Sequence, residues 1–363
     1  MDPKLYNTST LPASPLARKT ERWFARNQRR LPWRKTYDPY QVWVSEVMAQ
    51  QTRMEVVLGY FARFLERFPT LQALARASDD DVTAAWSGLG YYRRARMLRD
   101  GARAVCERFG GAIPRDVAAL VEIPGIGRYT AGAIASIAFD ERAPIVDGNV
   151  ARVLARLFAE ESRPWERATE LVHTAKSPRD FNQGLMELGA LICKPSKPLC
   201  HVCPLRDDCA AFSTNRVDEL PAKKRKPETR NLRIALYLVT DRRGRVLMRR
   251  ECGPLMNAMF HLPHGDTSLL TAAPLDVSPK ERLGAFRHTV TNRRIEFEVF
   301  SGVIPSREDG EEPPPGTGFL AALGMTRDYA WIDPASDFPH PSYVRKALRL
   351  AGIEGPRTLF ARP

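Results

Sequence analysis

Residues 120–130 read LVEIPGIGRYT, and the fold hangs on what two glycines, two apart, do after a proline. Apolar residues on either side recur at helical spacing, which predicts helices over 114–123 and 128–139 joined by a tight turn. In such a turn the amides of Gly125 and Gly127 can point outward. With the N-terminus of the second helix they form a site for one phosphate. Contacts of that kind hold a nucleic-acid backbone in register and read no base. A glycine-rich junction also serves as a plain connection between packed helices, so its surroundings must decide.

Those surroundings are helical from residue 16 to about 215. YQVWVSEVMAQQTRMEVVLGYFARFLERF, from Tyr40, repeats apolar residues at three- and four-residue intervals, with an interruption expected at Gly59-Tyr60. Asp38 can cap its start, Pro39 suits the first helical position, and Gln41 completes an Asp-x-x-Gln box. Further helices are expected over 78–86, 92–109, 149–160, 165–176 and 181–192. AKKRKPETR (222–230) then changes the composition: five basic residues and one acidic across Lys223–Arg230 suit a solvated linker. Beyond it, RIALYLVT and RVLMRR flank Asp241-Arg-Arg-Gly244 as a hairpin. RIEFEVFSGVI (294–304) puts Ile295, Phe297 and Val299 on one strand face. The proline-rich 305–317 reads as a loop and PSYVRKALRLAG (341–352) as a helix. No internal repeat is evident.

The 363 residues are enough for two domains, and 44% hydrophobic with 27% charged residues describes a folded chain. The beginning, MDPKLYNTSTLPASP, has neither the basic start nor the apolar run of a signal peptide. No apolar stretch reaches the roughly 18 residues of a membrane span. Six cysteines do not make a disulfide framework, so a cytoplasmic protein is expected. A net charge of +13 favours a polyanionic partner.

Four of the six cysteines crowd into CKPSKPLCHVCPLRDDC (193–209), spaced Cys-x6-Cys-x2-Cys-x5-Cys. Cys193, Cys200, Cys203 and Cys209 can surround one ion or cluster. Structural zinc sites commonly pair two short Cys-x2-Cys elements, and only Cys200 and Cys203 form one. The spacing therefore favours an iron–sulfur cluster, with zinc the rival. Such a centre can fix an otherwise structureless loop so that Lys194 and Lys197 meet phosphates. Cys106 and Cys252 lie outside the pattern.

Two carboxylates stand out. Asp147, in APIVDGNVARVLARLF, precedes a helix and can serve simply as its cap. A carboxylate there also stays ionised, stabilised by the helix dipole and free amides, and can face developing positive charge on a sugar. Glu46, in VWVSEVMAQ, is either a helix-surface residue or a buried acid with a raised pKa. Two carboxylates tuned oppositely would make an acid and an electrostatic or covalent partner.

LPWRKTYDPYQVWVSEVMAQQT, SGLGYYRRARML, IPGIGRYTAGAIAS, VDGNVARVLARL, FNQGLMELGALIC and the cysteine loop together resemble the A/G-specific adenine DNA glycosylase (MutY) family, within the helix-hairpin-helix superfamily of endonuclease III. The resemblance implies a mainly α glycosylase domain over 16–220 after a flexible 1–15, a basic linker over 221–230, and a second, α+β Nudix-like lesion-recognition domain over 231–357. It implies Glu46 as the general acid on adenine N7, Asp147 as the carboxylate stabilising or trapping the sugar cation, and Asn149 as its support. Tyr129 stands where bifunctional relatives carry lysine, which implies base removal without an efficient lyase step. Arg29, Trp33, Arg34 and Gln183 fall to the adenine pocket or its support, and Gln51 and Tyr91 to insertion into the duplex. One 4Fe–4S cluster and no nucleotide cofactor are implied. The expected partner is DNA with adenine opposite 8-oxoguanine or guanine, bound by a monomer.

The second domain departs from the family. No Gly-x5-Glu-x7-Arg-Glu-x2-Glu-Glu run is present, so nucleotide hydrolysis is not expected. FHLP, with Phe260, resembles an aromatic-x-Phe-Pro element with Leu262 in place of the second aromatic. The lesion-sensing Ser-His pair is replaced by Thr291-Asn292. The rival readings are an endonuclease III-like pyrimidine glycosylase, a non-catalytic DNA-binding scaffold and an iron–sulfur electron carrier. Tyr129 argues against the first and the paired carboxylates against the second.

Overall fold

The computed structural model describes residues 14–222, 228–251, 259–264, 278–290, 292–303, 329–336 and 338–353. Thr291, Cys252 and the proline-rich 305–317 lie outside them. The chain divides into two compact units, Met1–Arg76 with Met97–Arg225 and Ala77–Arg96 with Lys226–Pro363. Residues 77–96, which lie inside the sequence boundaries 16–220, thus pack with the second unit. There Tyr92 Oη donates to the His340 carbonyl and the His340 amide to Ser87 Oγ, both at 3.3 Å, and Arg250 pairs with Asp80.

The helices in chain order are α1 (Pro15–Asn27), α2 (Pro39–Ala49), α3 (Met54–Arg67), α4 (Leu71–Arg76), α5 (Asp79–Ala85), α6 (Arg93–Phe109), α7 (Val117–Val121), α8 (Arg128–Ala133), α9 (Gly148–Phe158), α10 (Pro164–His173), α11 (Pro178–Glu187) and α12 (Ala210–Ser213). Asp38 Oδ1 accepts from the Gln41 amide at 2.9 Å and Pro39 begins α2, as the sequence anticipates. The Asp38 amide turns to Thr36 Oγ1 rather than to Gln41. The long segment from Tyr40 breaks at Gln50–Arg53, not at Gly59-Tyr60. Tyr60 is buried within α3, and that packing outweighs the weak helix propensity of one glycine. The true break is marked by Gln51, whose φ of 55° no helix accommodates.

Two helices end in π turns. α8 runs into Ile134–Ala138 and α11 into Leu188–Ile192. Wide turns of this kind often sit at functional sites; here the second delivers Cys193. The core of the first unit gathers Val42 of α2, Val150, Val153 and Leu154 of α9, and Phe181 and Leu185 of α11.

Among the described residues, the second unit holds two three-stranded sheets. Strands β1 (Arg230–Leu238), β2 (Val246–Arg250), β3 (Phe260–His261), β4 (Ser278–Val290), β5 (Arg293–Val303) and β6 (Tyr329–Ile332) form the orders β1-β5-β4 and β3-β2-β6. β1 lies parallel to β5, and β4 antiparallel to it. The expected hairpin is only partly realised. Asp241–Arg245 closes the turn and Thr240 bridges Val246, yet β1 and β2 go on into different sheets. Ile295, Phe297 and Val299 are buried as their alternation requires, and helix α13 (Ser342–Leu350) packs Tyr343 on Phe297 with ring centroids 4.6 Å apart.

Candidate active site and cysteine centre

A cleft of about 910 Å³ in the first unit is lined by Trp33, Glu46, Gln51, Tyr129, Asp147 and Met186, among others. α2 is buried from Val42 to Met48, so it carries Glu46 into the interior, where the residue is 8% exposed. Tyr129, in the first turn of α8, donates its hydroxyl to Glu46 Oε2 at 2.6 Å, with Met186 Sδ of α11 at 3.4 Å. Burial pushes the Glu46 carboxyl up to about 7. Tyr129 and Arg34 pull against this, and the charge of Asp147 adds to it. Burial, then Glu46 and Asp147, hold the Tyr129 phenol well above its ordinary value, so it remains a donor.

Asp147 caps α9, accepting from the Val150 amide at 2.7 Å through Oδ1. Its other oxygen accepts from Asn149 Nδ2 at 3.1 Å. Asn149 is steadied in turn, because its Oδ1 accepts from Arg152 Nη2 at 2.8 Å. Gly189 packs against this turn where a Cβ would lie 2.6 Å from Asn149 Cβ. The buried Arg152 also donates to the carbonyls of Gly189 at 2.8 Å and Cys193 at 2.7 Å. One guanidinium therefore joins the support of Asp147 to the first cysteine.

Opposite lies a second built corner. Arg34 donates to Gln183 Oε1 at 2.8 Å and to Glu187 Oε1 at 2.6 Å; Arg29 donates to Glu187 Oε2 at 2.8 Å. Glu187 is fully buried, a charge tolerable only because two guanidiniums meet it. Sequence reasoning missed it. The one available signal was its place four residues after Gln183, on the same helix face. Trp33 meets Phe61 edge-on at 4.9 Å and presents its other side to the cleft.

The expected residues thus divide by place. Glu46, Tyr129, Asp147, Asn149, Arg29, Trp33, Arg34 and Gln51 line one cleft, and Gln183 lies behind Arg34. Gly125 and Gly127 sit outside it in the exposed α7–α8 turn. Gly125 has φ 81°, and a Cβ there would lie 2.8 Å from Met97 Cβ; Gly127 has open space. Lys194 and Lys197 are exposed on the cysteine loop. Tyr91, 51% exposed, and Phe260 and Asn292 belong to the second unit. Asn292 Nδ2 donates to the Glu228 carbonyl at 2.9 Å.

Cys193, Cys200, Cys203 and Cys209 line one apolar hollow with Val153, Leu188 and Leu205. Among the described residues no three His, Cys, Asp or Glu side chains close in as the ligands of one ion must. Burial, opposed by the Leu205 amide and reinforced by the other three cysteines, pushes the Cys203 thiol up to about 11. Cys200 and Cys209 move the same way. Thiols held up in this way ionise together only around a metal centre. Arg156 helps by donating to Cys193 Sγ at 3.3 Å and to the Lys194 and Leu220 carbonyls.

Comparison with known proteins covers both regions. Residues 44–176 match the HhH-GPD superfamily base excision DNA repair protein family, and residues 193–209 match the iron–sulfur binding domain of endonuclease III. The cysteine loop is thus an iron–sulfur binding domain, and the cofactor of the chain is a 4Fe–4S cluster. An adenine DNA glycosylase of Rattus norvegicus is 35% identical over 373 residues, covering 82% of this chain and 72% of the relative. The Homo sapiens counterpart is 47% identical over 218 residues, 55% of this chain and 40% of that protein. A solved thermostable thymine-DNA glycosylase is 30% identical with a TM-score of 0.51, over 55% of this chain and 95% of its own. A DNA glycosylase signature and its iron–sulfur loop, in order along a chain that aligns with most of the rat protein, place this chain in the adenine DNA glycosylase family.

Proposed function

We propose that the chain extrudes adenine opposite 8-oxoguanine or guanine and hydrolyses its N-glycosidic bond, acting as a monomer and leaving the strand intact. The observation that carries this reading is the buried Glu46, held near neutral pKa at 2.6 Å from Tyr129 and sharing its cleft with Asp147. Glu46 gives its proton to adenine N7, and the glycosidic bond breaks toward the base, which leaves neutral. Asp147 stabilises the positive charge left on deoxyribose. Water then bonds to C1′ and gives its proton to the Glu46 carboxylate, which restores the acid. Tyr129 offers no amine for an imine with the sugar. Trp33 stacks on the extruded base, and the Arg29–Glu187–Arg34 corner with Gln183 supports its polar edge.

Gln51 and Tyr91 fill the vacated stack. Both hold positive φ, 55° and 49°, uncommon for side-chain-bearing residues and typical of strain kept for function. Gly125, Gly127, Lys194 and Lys197 meet phosphates. Cys193, Cys200, Cys203 and Cys209 would hold the 4Fe–4S cluster, which would lend rigidity to the loop that carries Lys194 and Lys197 and take no part in the hydrolysis. The second unit is a Nudix-like domain that reads the opposite base, with Phe260, Thr291 and Asn292 as its readers. Asn292 anchors the β4–β5 turn to the chain entering β1 through Glu228.

The test is single-turnover excision on duplexes with adenine opposite 8-oxoguanine, guanine, cytosine and thymine. Thymine opposite guanine belongs in the set because the similar solved structure is a thymine-DNA glycosylase. Fastest release of adenine opposite 8-oxoguanine supports the proposal. Preferential release of thymine overturns it.

A further inference from the structure

Two adjacent tyrosines follow Gly90, and the fold treats them oppositely. Tyr92 is buried, and its hydroxyl accepts from the Gly88 amide and donates to the His340 carbonyl, both at 3.3 Å. Tyr91 is 51% exposed at a φ of 49°, a conformation unfavourable for any residue with a Cβ. Burial does not offset that cost, so other contacts must hold the conformation. Arg94, in the first turn of α6, supplies them. Its guanidinium lies over the Tyr91 ring, 5.6 Å from the centre, and over the Trp86 ring at 5.5 Å. Its Nη2 donates to the Gly90 carbonyl at 3.2 Å and to the Leu89 carbonyl at 3.4 Å. The buried Trp86 donates Nε1 to the same Gly90 carbonyl at 3.3 Å. The peptide plane that carries this carbonyl is one side of the φ torsion of Tyr91. One cation therefore holds both the backbone and the ring of the displayed tyrosine. We infer that Arg94 is a positioning residue, which presents Tyr91 to the duplex in the conformation that insertion requires.

The contacts separate this task from two plainer ones. A guanidinium that met phosphates would turn its donors to solvent. Arg94 is half-buried and directs Nη2 into the turn. A residue that served the fold alone would pack its aromatic partner inward, as Tyr92 is packed. Arg94 instead meets one ring that is buried, Trp86, and one that is displayed, Tyr91. Burial pulls its guanidinium down to about 10, which leaves it charged at neutral pH. A cation over a ring in water contributes little, and more once the pair is desolvated. The contact therefore strengthens when Tyr91 leaves water for the base stack. A ring already held in place also loses less freedom on insertion than one that turns freely.

This inference rests on Tyr91 entering the duplex, and a double-mutant cycle separates the two claims. Tyr91→Ala, Arg94→Met and the double variant are compared with wild type on a duplex with adenine opposite 8-oxoguanine. Single-turnover excision, Tm and the salt dependence of duplex affinity are measured for each. Methionine keeps the length of the side chain and removes its charge and its donors. Arg94→Met should slow excision about tenfold, the combined worth of one cation–π contact and one hydrogen bond. In the Tyr91→Ala background the same substitution should change the rate by less than about twofold. Arg94→Lys keeps the charge without the planar fork, so it should slow excision too, and lose that effect beside Tyr91→Ala. It keeps the test decisive should the methionine variant fold poorly. The salt slope should match wild type, because no phosphate contact is lost. Equal slowing by an Arg94 variant with and without the Tyr91 ring overturns the positioning role. So does excision at the wild-type rate in Arg94→Met, or a salt slope smaller by about one. Excision at the wild-type rate in Tyr91→Ala overturns the insertion of Tyr91 itself, and the role of Arg94 with it.

Discussion

At the scale of single residues, Glu46 links stability to chemistry. Its carboxyl ordinarily titrates near 4.5 and is pushed up to about 7 in the fold. Between those values the folded chain binds a proton that the unfolded chain has lost, so stability falls as pH rises through that window. The full cost, about 3 kcal/mol at most, is present above it. Glu46→Gln should therefore raise Tm at about pH 8, leave it unchanged near pH 4, and lower single-turnover excision by at least about 100-fold. Calorimetry at the two pH values checks the first part; equal Tm changes at both would reject it. Wild-type excision should itself decline as pH rises through about 7, where Glu46 loses its proton. Tyr129→Lys should introduce an imine trappable by borohydride, whereas wild type leaves an intact abasic strand until heat or alkali. Efficient cleavage by wild type, with a trapped adduct, would reject the monofunctional reading. Glu46 and Asp147 were singled out in the sequence, although the residues alone left each an ordinary alternative, a helix-surface glutamate and a plain helix cap. Glu187 was not. A glutamate on a helix reads as surface until the fold brings Arg29 and Arg34 to it.

At the scale of elements, the α7–α8 turn separates two uses of glycine. Gly125 combines positive φ with a neighbour too close for any Cβ, while Gly127 meets nothing and has ordinary φ. Gly125→Ala should cost stability, by about 1 kcal/mol or more from the backbone alone. Gly127→Ala should leave Tm nearly unchanged and weaken duplex binding where a phosphate approaches. Melting curves and affinities at two salt concentrations distinguish the pair, and a large Tm loss in Gly127→Ala would contradict the assignment. The sequence reading located the start of α2 and the spans of α6 and α9 closely. It misplaced the α2–α3 break because a Gly-Tyr pair outranked two glutamines as a local signal, although only tertiary packing explains positive φ at Gln51. The π turns and the division of β1 and β2 between sheets have no short-range signature at all.

At the scale of the whole molecule, residues 77–96 pack with the second unit. Deletion after Pro221 would strip that segment of its partners as well as removing the proposed lesion reader. Asn292→Ala is the cleaner probe; it should narrow the preference for 8-oxoguanine over guanine while excision of adenine from the better substrate persists. An unchanged preference would move lesion reading elsewhere. Cys200→Ser should lose iron and duplex affinity more than it loses chemistry on DNA still bound, with iron content and binding measured on the same preparation. Arg152→Gln should keep the iron yet slow excision, since Asn149 loses its brace. Arg152 acts as a strut between two loops: it grips the Cys193 backbone at one end and Asn149 beside Asp147 at the other, so a disturbance at either end is felt at both.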